Sequence, residues 1–307
     1  MVGKTERSVT SDGSGQRIVP TDGLEALASV VVTRVCAPGS SANVGPGFDV
    51  FGLAVARYVR AWDEDGRRAD DTVTEPCGPD HIARIAYEMA GGTQPLWFDF
   101  ELEPSRGLGF SAAARAAGAY LAYHQAGASH TEAQQSAYRI VADIEGHGDN
   151  AAPAVFGGIY VIAGDLAHRI PATFPGRLLF WVPDHETLTD DSRACLPPQV
   201  DRADAVFNLG RMALLVAAMY EGRLDLLGRA TEDRLHQPLR FSACDPSHKA
   251  YRVALEAGAA AAWLSGSGPT VAIAVTEDQV SAVSSVLAGS GRVLELDMDQ
   301  TGAVVTG

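Results

Sequence analysis

Lysine is almost absent from this sequence, with only Lys4 and Lys249 among its 24 basic residues. The 38 acidic residues outnumber the basic ones and leave a formal net charge of −14 at pH 7. A surface of this charge repels nucleic acid backbones and anionic membranes. We therefore expect neither a nucleic acid nor a membrane as a partner.

Cysteines are also few, and no two of them form a CxxC pair. Cys36, Cys77, Cys195 and Cys244 lie far apart, which is not typical of metal sites or disulfide frameworks. The sequence has no apolar run of 18 or more residues, and residues 1–28 lack the apolar segment of a secretory signal. These absences predict a protein of the reducing cytoplasm with residues 1–28 as a mobile leader.

The 307 residues, 46% of them hydrophobic, suffice for two domains of ordinary size. Strand and helix patterns alternate without strict βα repetition, which favours the α+β class. We place an N-terminal domain at 29–165 and a C-terminal domain at 166–307. Strands are predicted at 30–36, 53–63, 96–103, 157–164, 177–183 and 292–297, with a turn and strand at 263–275, and helices at 81–92, 111–125, 129–145, 203–220, 247–257 and 277–288.

The segment Gly107-Leu108-Gly109 joins a predicted strand to an alanine-rich helix. In the strand, LWFDFELE (96–103), apolar and acidic residues alternate, so one face is predicted to be buried. A helix start leaves backbone N–H groups unpaired, and glycines let an anion approach them closely. The loop is therefore a candidate phosphate cradle, although it is not of the GxxxxGK[ST] type. A tight turn that packs the helix against a sheet is the alternative.

Three further segments are dense in glycine and small polar residues: PGSSANVGPGFDVFGLA (38–54), HGDNAAPAVFGG (147–158) and LSGSGPTVAIAV (264–275). Together with RGLGFSAA (106–113), in this order, they resemble the motifs of the small-molecule kinase superfamily named for galactokinase, homoserine, mevalonate and phosphomevalonate kinases (GHMP). The first and third are similar to PATSANLGPGFD and HPDNVAP of the homoserine kinase family. The resemblance runs from residue 31 to the C-terminus.

The resemblance implies a two-domain α+β fold. Its N-terminal domain is similar to the second domain of ribosomal protein S5, its C-terminal domain is ferredoxin-like, and the active site lies between them. The implied reaction uses ATP and Mg²⁺ to phosphorylate the hydroxyl of L-homoserine, giving O-phospho-L-homoserine for threonine biosynthesis. Members of the family are often dimers, so the resemblance also implies a possible homodimer.

The resemblance assigns substrate contacts to the first and third motifs. Asn43 and Asp49 match residues that hold the substrate, and an aspartate suits an amino group or a hydroxyl. His147 and Asn150 match positions near the substrate. No strong general base is evident, so Asn43, Asp49 and Asn150 are the expected catalytic residues, with Asn43 or Asp49 orienting the hydroxyl.

The carboxylate of an amino-acid substrate calls for arginine, because a planar guanidinium pairs with it bidentately. The family has two such arginines, and the segments that match them are TLTDDSRACLP and LHQPLR. The first segment implies Thr189 and Arg193 as substrate contacts, and the second implies Arg240.

The resemblance also implies nucleotide and metal contacts. Ser111 and Glu145 match the metal residues, which fits the few protein oxygens that Mg²⁺ takes beside phosphates. Only Gly146 separates Glu145 from His147, so Asp143 is the alternative metal ligand. The implied nucleotide-binding residues are Arg106, Gly107, Leu108, Gly109, Phe110, Ser111, Ala112 and Ala113.

Phe110 departs from the family loop GLGSSAA by replacing its first serine. The change removes one hydroxyl near the phosphates, and the ring is expected to pack on the nucleotide or to fill a changed pocket. Two other interpretations stay open. One is a sister kinase for another small hydroxy acid, such as shikimate, pantoate or threonine, and the other is a non-catalytic member that binds a ligand.

Overall fold

Two antiparallel β-sheets carry the helices of this chain. The structure is a computed structural model that describes residues 33–64, 71–73, 75–184 and 189–306, without the side chains of residues 189–191. These residues lie in one compact unit, Val31–Gly307, and the predicted leader at 1–28 lies outside them. The strands are β1 (Arg34–Asn43), β2 (Gly47–Trp62), β3 (Trp97–Phe100), β4 (Ile159–Ala163), β5 (Leu166–Ile170), β6 (Arg177–Val182), β7 (Ala261–Leu264), β8 (Val271–Val275), β9 (Arg292–Glu295) and β10 (Val304–Thr306). The helices are α1 (Ile82–Met89), α2 (Phe110–Gln125), α3 (His130–Glu145), α4 (Ala151–Phe156), α5 (Thr189–Ala194), α6 (Arg202–Glu221), α7 (Leu224–Ala230), α8 (Gln237–Ala243), α9 (Asp245–Glu256) and α10 (Val280–Leu287).

The first sheet has the order β10-β1-β2-β4-β5, and β3 also pairs with β2. Its last strand comes from the end of the chain, where Val304 to Thr306 pair with Cys36 to Arg34. The second sheet has the order β7-β8-β6-β9 and carries α9 and α10. This arrangement confirms the predicted α+β class. The domain boundary at residue 165 stays a prediction.

Helix α2 lies against β1, β2 and α1, and alanine makes that approach possible. Its residues Ala112 to Ala122 are buried except for Arg115. At Gly118, even a Cβ atom would lie 2.1 Å from the carbonyl oxygen of Ala83 in α1. Small side chains therefore hold the start of α2 close to the sheet, next to the first motif.

The first motif is a β-hairpin, whereas the sequence predicted a strand at 30–36 followed by a loop. Strand β1 continues to Asn43, and β2 begins four residues later at Gly47. A register shift between Pro38 and Gly39 lets proline and glycine stay within the pairing. Gly39 is also needed for packing, because a Cβ atom there would lie 2.7 Å from the carbonyl oxygen of Leu108.

Two proline-containing segments form helices that the sequence did not predict. Helix α4 forms within the third motif and contains Pro153, and α8 includes the QPLR part of the LHQPLR segment, which was expected to interrupt the helices. Both prolines lie in the first turn of their helix, where a missing N–H costs no helical hydrogen bond. The short elements β5, β10, α5 and α7 were also not predicted.

Among the described residues, α6 alone is long and apolar enough to cross a membrane by length and composition, and only a small part of it is buried. One such helix is weak support for a membrane span, because helices of water-soluble proteins pass the same test. Arg211, near its middle, forms an ion pair of 2.6 Å with Glu232. The absence of a membrane partner stays a prediction.

Candidate active site

The four glycine-rich motifs meet at one cavity of about 310 Å³. Residues from the first hairpin, the loop before α2, the α3–α4 turn and the β7–β8 turn all line it. Thirteen of the predicted site residues are among the lining: Asn43, Asp49, Arg106, Gly107, Gly109, Phe110, Ser111, Ala112, Glu145, His147, Asn150, Arg193 and Arg240.

Two predicted residues, Leu108 and Ala113, are not part of this lining. Leu108 and Ala113 are buried, at 2% and 0% exposure, so their side chains pack in the core. The backbone carbonyl of Leu108 accepts a hydrogen bond of 3.0 Å from the amide of Ser40 in β1. Thr189 begins α5, but its side chain lies outside the described residues.

The first hairpin holds Asn43 and Asp49 in left-handed backbone conformations, with φ of 71° and 59°. Such conformations cost about 1–3 kcal/mol in non-glycine residues and persist where surrounding contacts hold them. Asn43 supplies these contacts. Its side-chain oxygen accepts from the amide of Asp49 at 3.0 Å, and its side-chain nitrogen donates to the carbonyl of Gly266 at 2.7 Å. Asn43 thereby fixes Asp49 and joins the first motif to the fourth.

The loop before α2 needs its two glycines. Gly107 and Gly109 have φ of 76° and 72°. A Cβ atom would lie 2.5 Å from the carbonyl oxygen of Ser265 at the first, and 2.0 Å from Oγ of Ser40 at the second. No side chain caps α2, whose N-cap residue is Gly109. The helix start therefore presents uncapped N–H groups to the cavity, as phosphate binding requires.

Ser111 and Glu145, the predicted metal residues, lie together. Oγ of Ser111 donates to Oε1 of Glu145 at 2.8 Å. Arg115, one turn further along α2, donates to both atoms through Nη1. The guanidinium of Arg115 thus places one positive charge beside two hard oxygen atoms. The same two oxygens are suitable ligands for a small divalent cation. Asp143, the alternative metal ligand, is exposed and does not line the cavity.

A second group of possible metal ligands lies in the same cavity. Side-chain atoms of Asp49, His147 and Asp149 come within 4.8 Å of one another. However, Asp49 is paired with Arg193, and Nδ1 of His147 is 2.5 Å from Oδ1 of Asp149. The group includes an imidazole, which suits Mg²⁺ poorly. The Ser111–Glu145 pair is the better fit.

Asp49 and Arg193 form a two-pronged ion pair. Nη1 and Nη2 of Arg193 donate to Oδ2 and Oδ1 of Asp49 at 2.8 and 2.9 Å. The side chains are 29% and 44% exposed, so solvent screens the pair and its net contribution is about 0–1 kcal/mol. A ligand that brings its own opposite charges can therefore separate them.

Arg240 is buried at 4% exposure and is held from several sides. It donates to the backbone carbonyls of Ser192 and Gly266, each at 3.3 Å. Burial and the nearby Arg193 lower the pKa of its guanidinium, which stays protonated. The ring of Phe48 explains the geometry, because both guanidinium groups lie over it, that of Arg240 at 5.2 Å from the ring centre and that of Arg193 at 5.5 Å.

His236 fixes this arrangement, although it was not among the predicted site residues. It is fully buried, stacks on Phe48 at 5.2 Å between ring centres, and contacts the carbonyl of Gly45 through Nε2 at 2.7 Å. Burial lowers its pKa to about 4, so the ring is neutral near pH 7. Nε2 then donates to Gly45, which leaves Nδ1 to accept from Nη1 of Arg240 at 3.2 Å.

The third motif provides a histidine–carboxylate pair. The hydrogen bond from His147 to Asp149 raises the pKa of the imidazole, against the opposing effect of burial. Asp149, at 1% exposure, also accepts from the amide of Asn150 at 3.1 Å. Asn150 in turn accepts from Oγ of Ser40 at 2.9 Å, which places it beside the phosphate loop.

Phe110 belongs to an aromatic cluster at the rim of the cavity. It packs edge-on against Phe98 and Phe100, with ring centres 6.1 and 5.4 Å apart. Phe98 is buried as predicted, but Phe100 is 51% exposed although the alternation of its strand predicted burial. Strand β3 ends at Phe100, whose ring packs on the side of Phe110 instead of in the core. The cluster forms an apolar wall next to the loop.

Two family profiles match this chain. GHMP kinases N terminal domain matches residues 77–158, and GHMP kinases C terminal matches residues 215–292. The chain belongs to the GHMP kinase family of small-molecule kinases, and the predicted fold is confirmed.

Similar relatives within the family are homoserine kinases. That of Desulfitobacterium hafniense is 34% identical, over 89% of this chain and 100% of the relative, and that of Deinococcus radiodurans is 37% identical, over 88% and 96%. Among solved structures, homoserine kinase from Cytophaga hutchinsonii has a TM-score of 0.76 at 25% identity, covering 89% of this chain and 97% of its own. Mevalonate kinase of L. major, at 17% identity, shares the fold with a TM-score of 0.64 over 87% and 96%.

Proposed function

We propose that this chain transfers a phosphoryl group from ATP to the side-chain hydroxyl of L-homoserine, giving ADP and O-phospho-L-homoserine, a precursor in threonine biosynthesis. The observation that carries the proposal is the Asp49–Arg193 pair in the same cavity as the phosphate loop. An amino acid carries an ammonium and a carboxylate, and this pair offers each a partner. The homoserine kinases among the relatives point to homoserine within that class.

Substrate binding replaces one ion pair with two. The ammonium takes Asp49, while the carboxylate takes Arg193 together with Arg240. The weak, partly exposed Asp49–Arg193 pair opens easily, whereas Arg240 is held in place beforehand by Ser192, Gly266 and His236. Thr189, at the start of the helix that carries Arg193, stays a proposed substrate contact.

The nucleotide binds with its phosphates at the start of α2. The uncapped N–H groups after Gly109 and the positive end of the helix stabilise the phosphate oxygens, and Arg106 adds a charge at the cavity wall. The apolar wall around Phe110 is the surface available to the base. Backbone groups do most of this binding, so the missing serine hydroxyl is tolerated.

Ser111 and Glu145 would hold Mg²⁺. When bound, the metal would neutralise part of the charge on the phosphates. Both residues lie on well-ordered helix ends, since Ser111 is in the first turn of α2 and Glu145 ends α3.

The transfer step relies on positioning and charge more than on a strong base. Phosphoryl transfer passes through a loose transition state, so the hydroxyl proton leaves late. Asn43, Asp49 and Asn150 surround the space between the substrate charges and the phosphate loop, and each is held by a hydrogen bond or an ion pair. We assign them the orientation of the hydroxyl, with His147 beside them as a substrate contact.

The test is a coupled ADP-release assay with ATP, Mg²⁺ and the purified chain. L-Homoserine is compared with L-threonine, shikimate, pantoate and a sample without substrate. We expect turnover with homoserine well above every other sample, and loss of most of it in Arg193→Ala. Turnover with a different hydroxy acid would make the chain a sister kinase, and none with any of them would contradict a catalytic role.

We also propose that the protein works in the cytoplasm as a homodimer. The four cysteines are free, and burial raises the pKa of Cys36 and Cys77 to about 11, which keeps their thiols unreactive.

Helix α6 exposes a stripe of apolar residues that a second copy would cover. The stripe consists of Val206, Leu209, Gly210, Ala213, Ala217 and Tyr220.

A further inference from the structure

Arg115 occupies the place where the metal ligands converge. It follows Ser111 by four residues, which puts both on the same face of α2. Its Nη1 donates to Oγ of Ser111 and to Oε1 of Glu145, and those two oxygens are themselves 2.8 Å apart. The side chains of Arg115 and Glu145 are 17% and 13% exposed, so solvent screens their charges only in part.

We propose that Arg115 is a resident cation of the phosphate site, which holds Ser111 and Glu145 until a divalent metal displaces it. The inference rests on the metal role proposed above for these two residues. Glu145 is largely buried and needs a positive partner whether or not metal is present. In this chain the positive partner is Arg115, which belongs to the polypeptide itself and lies one helical turn from the phosphate loop.

The first consequence concerns the metal. A guanidinium and a divalent cation cannot share one carboxylate oxygen without strong repulsion. The metal must therefore break the contacts of Arg115 with both ligands before it binds. Arg115 thus weakens the affinity of the site for metal.

The second consequence concerns the nucleotide. Arg115 does not itself line the cavity, but Ser111 and Glu145, which it contacts, do, so its charge lies directly behind the place where the phosphates are expected. Without metal, its charge is still available to the phosphate oxygens. Nucleotide binding should therefore depend less on metal than it would without Arg115, because the coupling between two ligands is reciprocal.

The experiment measures this coupling by binding rather than by turnover. The dissociation constant of a fluorescent N-methylanthraniloyl-ADP is determined on the full chain, once with EDTA and once with saturating Mg²⁺. The ratio of the dissociation constant in EDTA to that in Mg²⁺ is compared among the wild type, Arg115→Gln and Arg115→Lys. Glutamine keeps hydrogen bonds to Glu145 but removes the charge, and lysine keeps the charge.

We expect Arg115→Gln to raise the ratio about tenfold or more, with weaker binding in EDTA, and Arg115→Lys to stay within about threefold of the wild type. Arg223→Gln is the matched control. It removes the same charge from an exposed pair with Asp225 that does not line the cavity, and its ratio should not change. Circular dichroism confirms that each variant is folded.

An unchanged or lower ratio in Arg115→Gln would overturn the proposal, and so would a rise of equal size in Arg115→Lys. If the wild type still binds the nucleotide and phosphorylates homoserine, only the role of Arg115 is lost. If the wild type binds the nucleotide in neither condition, the proposed function and this inference both fall. Should Arg115→Gln not fold, Arg115→Lys alone decides, because a resident cation predicts its ratio near that of the wild type.

Discussion

At the scale of single residues, the proposed substrate end of the cavity has a fixed arginine geometry. Arg240 is buried, lies over Phe48 and is oriented by the neutral ring of His236. A residue held this tightly can receive a carboxylate without losing further side-chain freedom. The two arginines differ in this respect, since Arg193 is partly exposed and first has to leave Asp49.

Arg240→Lys tests this geometry. Lysine keeps the positive charge but cannot form the planar fork, so a charge-assisted hydrogen bond is lost. We expect KM for homoserine to rise about 10- to 100-fold, from the roughly 1.5–3 kcal/mol that such a bond contributes. KM for ATP should change little. Steady-state kinetics check this, with Arg223→Lys as the control, and an unchanged KM for homoserine would contradict the assignment.

His147 and Asp149 make a pH-dependent contribution to stability. The pKa of His147 is raised in the folded chain, so the pair stabilises the fold fully below the unfolded pKa of about 6.5. That stabilisation is lost as pH rises through the folded pKa. In Asp149→Asn we expect the His147 pKa to fall, because the hydrogen bond and the charge of Asp149 are lost, burial still lowers the pKa, and only the charges of Asp49 and Glu145 still raise it. NMR titration of the imidazole measures this pKa. An equal pKa in the wild type and in Asp149→Asn would contradict the His147–Asp149 hydrogen bond.

At the scale of elements, the glycine loop and α2 act together. Gly109 has a left-handed backbone conformation, and a Cβ atom at this position would overlap Oγ of Ser40. Gly127, after the same helix, has a left-handed φ of 85° but nothing within 4 Å of a Cβ atom. The two positions separate backbone strain from steric overlap within one element.

We expect Gly127→Ala to cost about 1–2 kcal/mol of unfolding free energy, the price of a left-handed alanine. Gly109→Ala should cost more and should also weaken binding of the fluorescent ADP at least about tenfold, because the first hairpin must move away from the loop. Urea unfolding and fluorescence titration measure both effects. Similar results for the two variants would show that the loop does not hold the phosphates.

The exposed stripe of α6 makes a prediction about assembly. Leu209 is 70% exposed at its centre, and an arginine there would put a charge into the middle of a dimer interface. We expect Leu209→Arg to be monomeric and still folded, with a melting temperature lowered only by the stabilisation that the dimer contributed. Val286→Arg, on the exposed face of α10 at 52% exposure, should leave the mass unchanged. Light scattering after size-exclusion chromatography decides, and a monomeric wild type would contradict the proposed dimer.

At the scale of the whole molecule, local signals in the sequence predicted local structure well. The capping box of Ser129 and Glu132 begins α3 as predicted, and Gly127 ends α2 in a left-handed conformation. The four glycine-rich motifs line one cavity, in agreement with their resemblance to a known family, whereas the functional roles of their residues stay predictions. Each of these predictions needed only neighbouring residues or a recognised motif.

What the sequence did not predict depends on long-range packing. Strand β10 exists because it pairs with β1, some 270 positions earlier in the chain. His236 matters because it reaches Gly45 and Phe48, and nothing in its own segment indicates that. Arg115 reads as an ordinary helix-surface arginine until α3 places Glu145 beside it. Tertiary contacts, not local propensity, create these roles.

The central claim is that this chain phosphorylates homoserine on its side-chain oxygen. The most direct measurement is ³¹P NMR, with mass spectrometry of the product, on a reaction of the full chain with ATP, Mg²⁺ and L-homoserine. We expect a new phosphomonoester signal that grows as the γ-phosphate signal of ATP disappears, with the phosphate on the side-chain oxygen. ATP loss to inorganic phosphate alone, or no ATP loss at all, would contradict it.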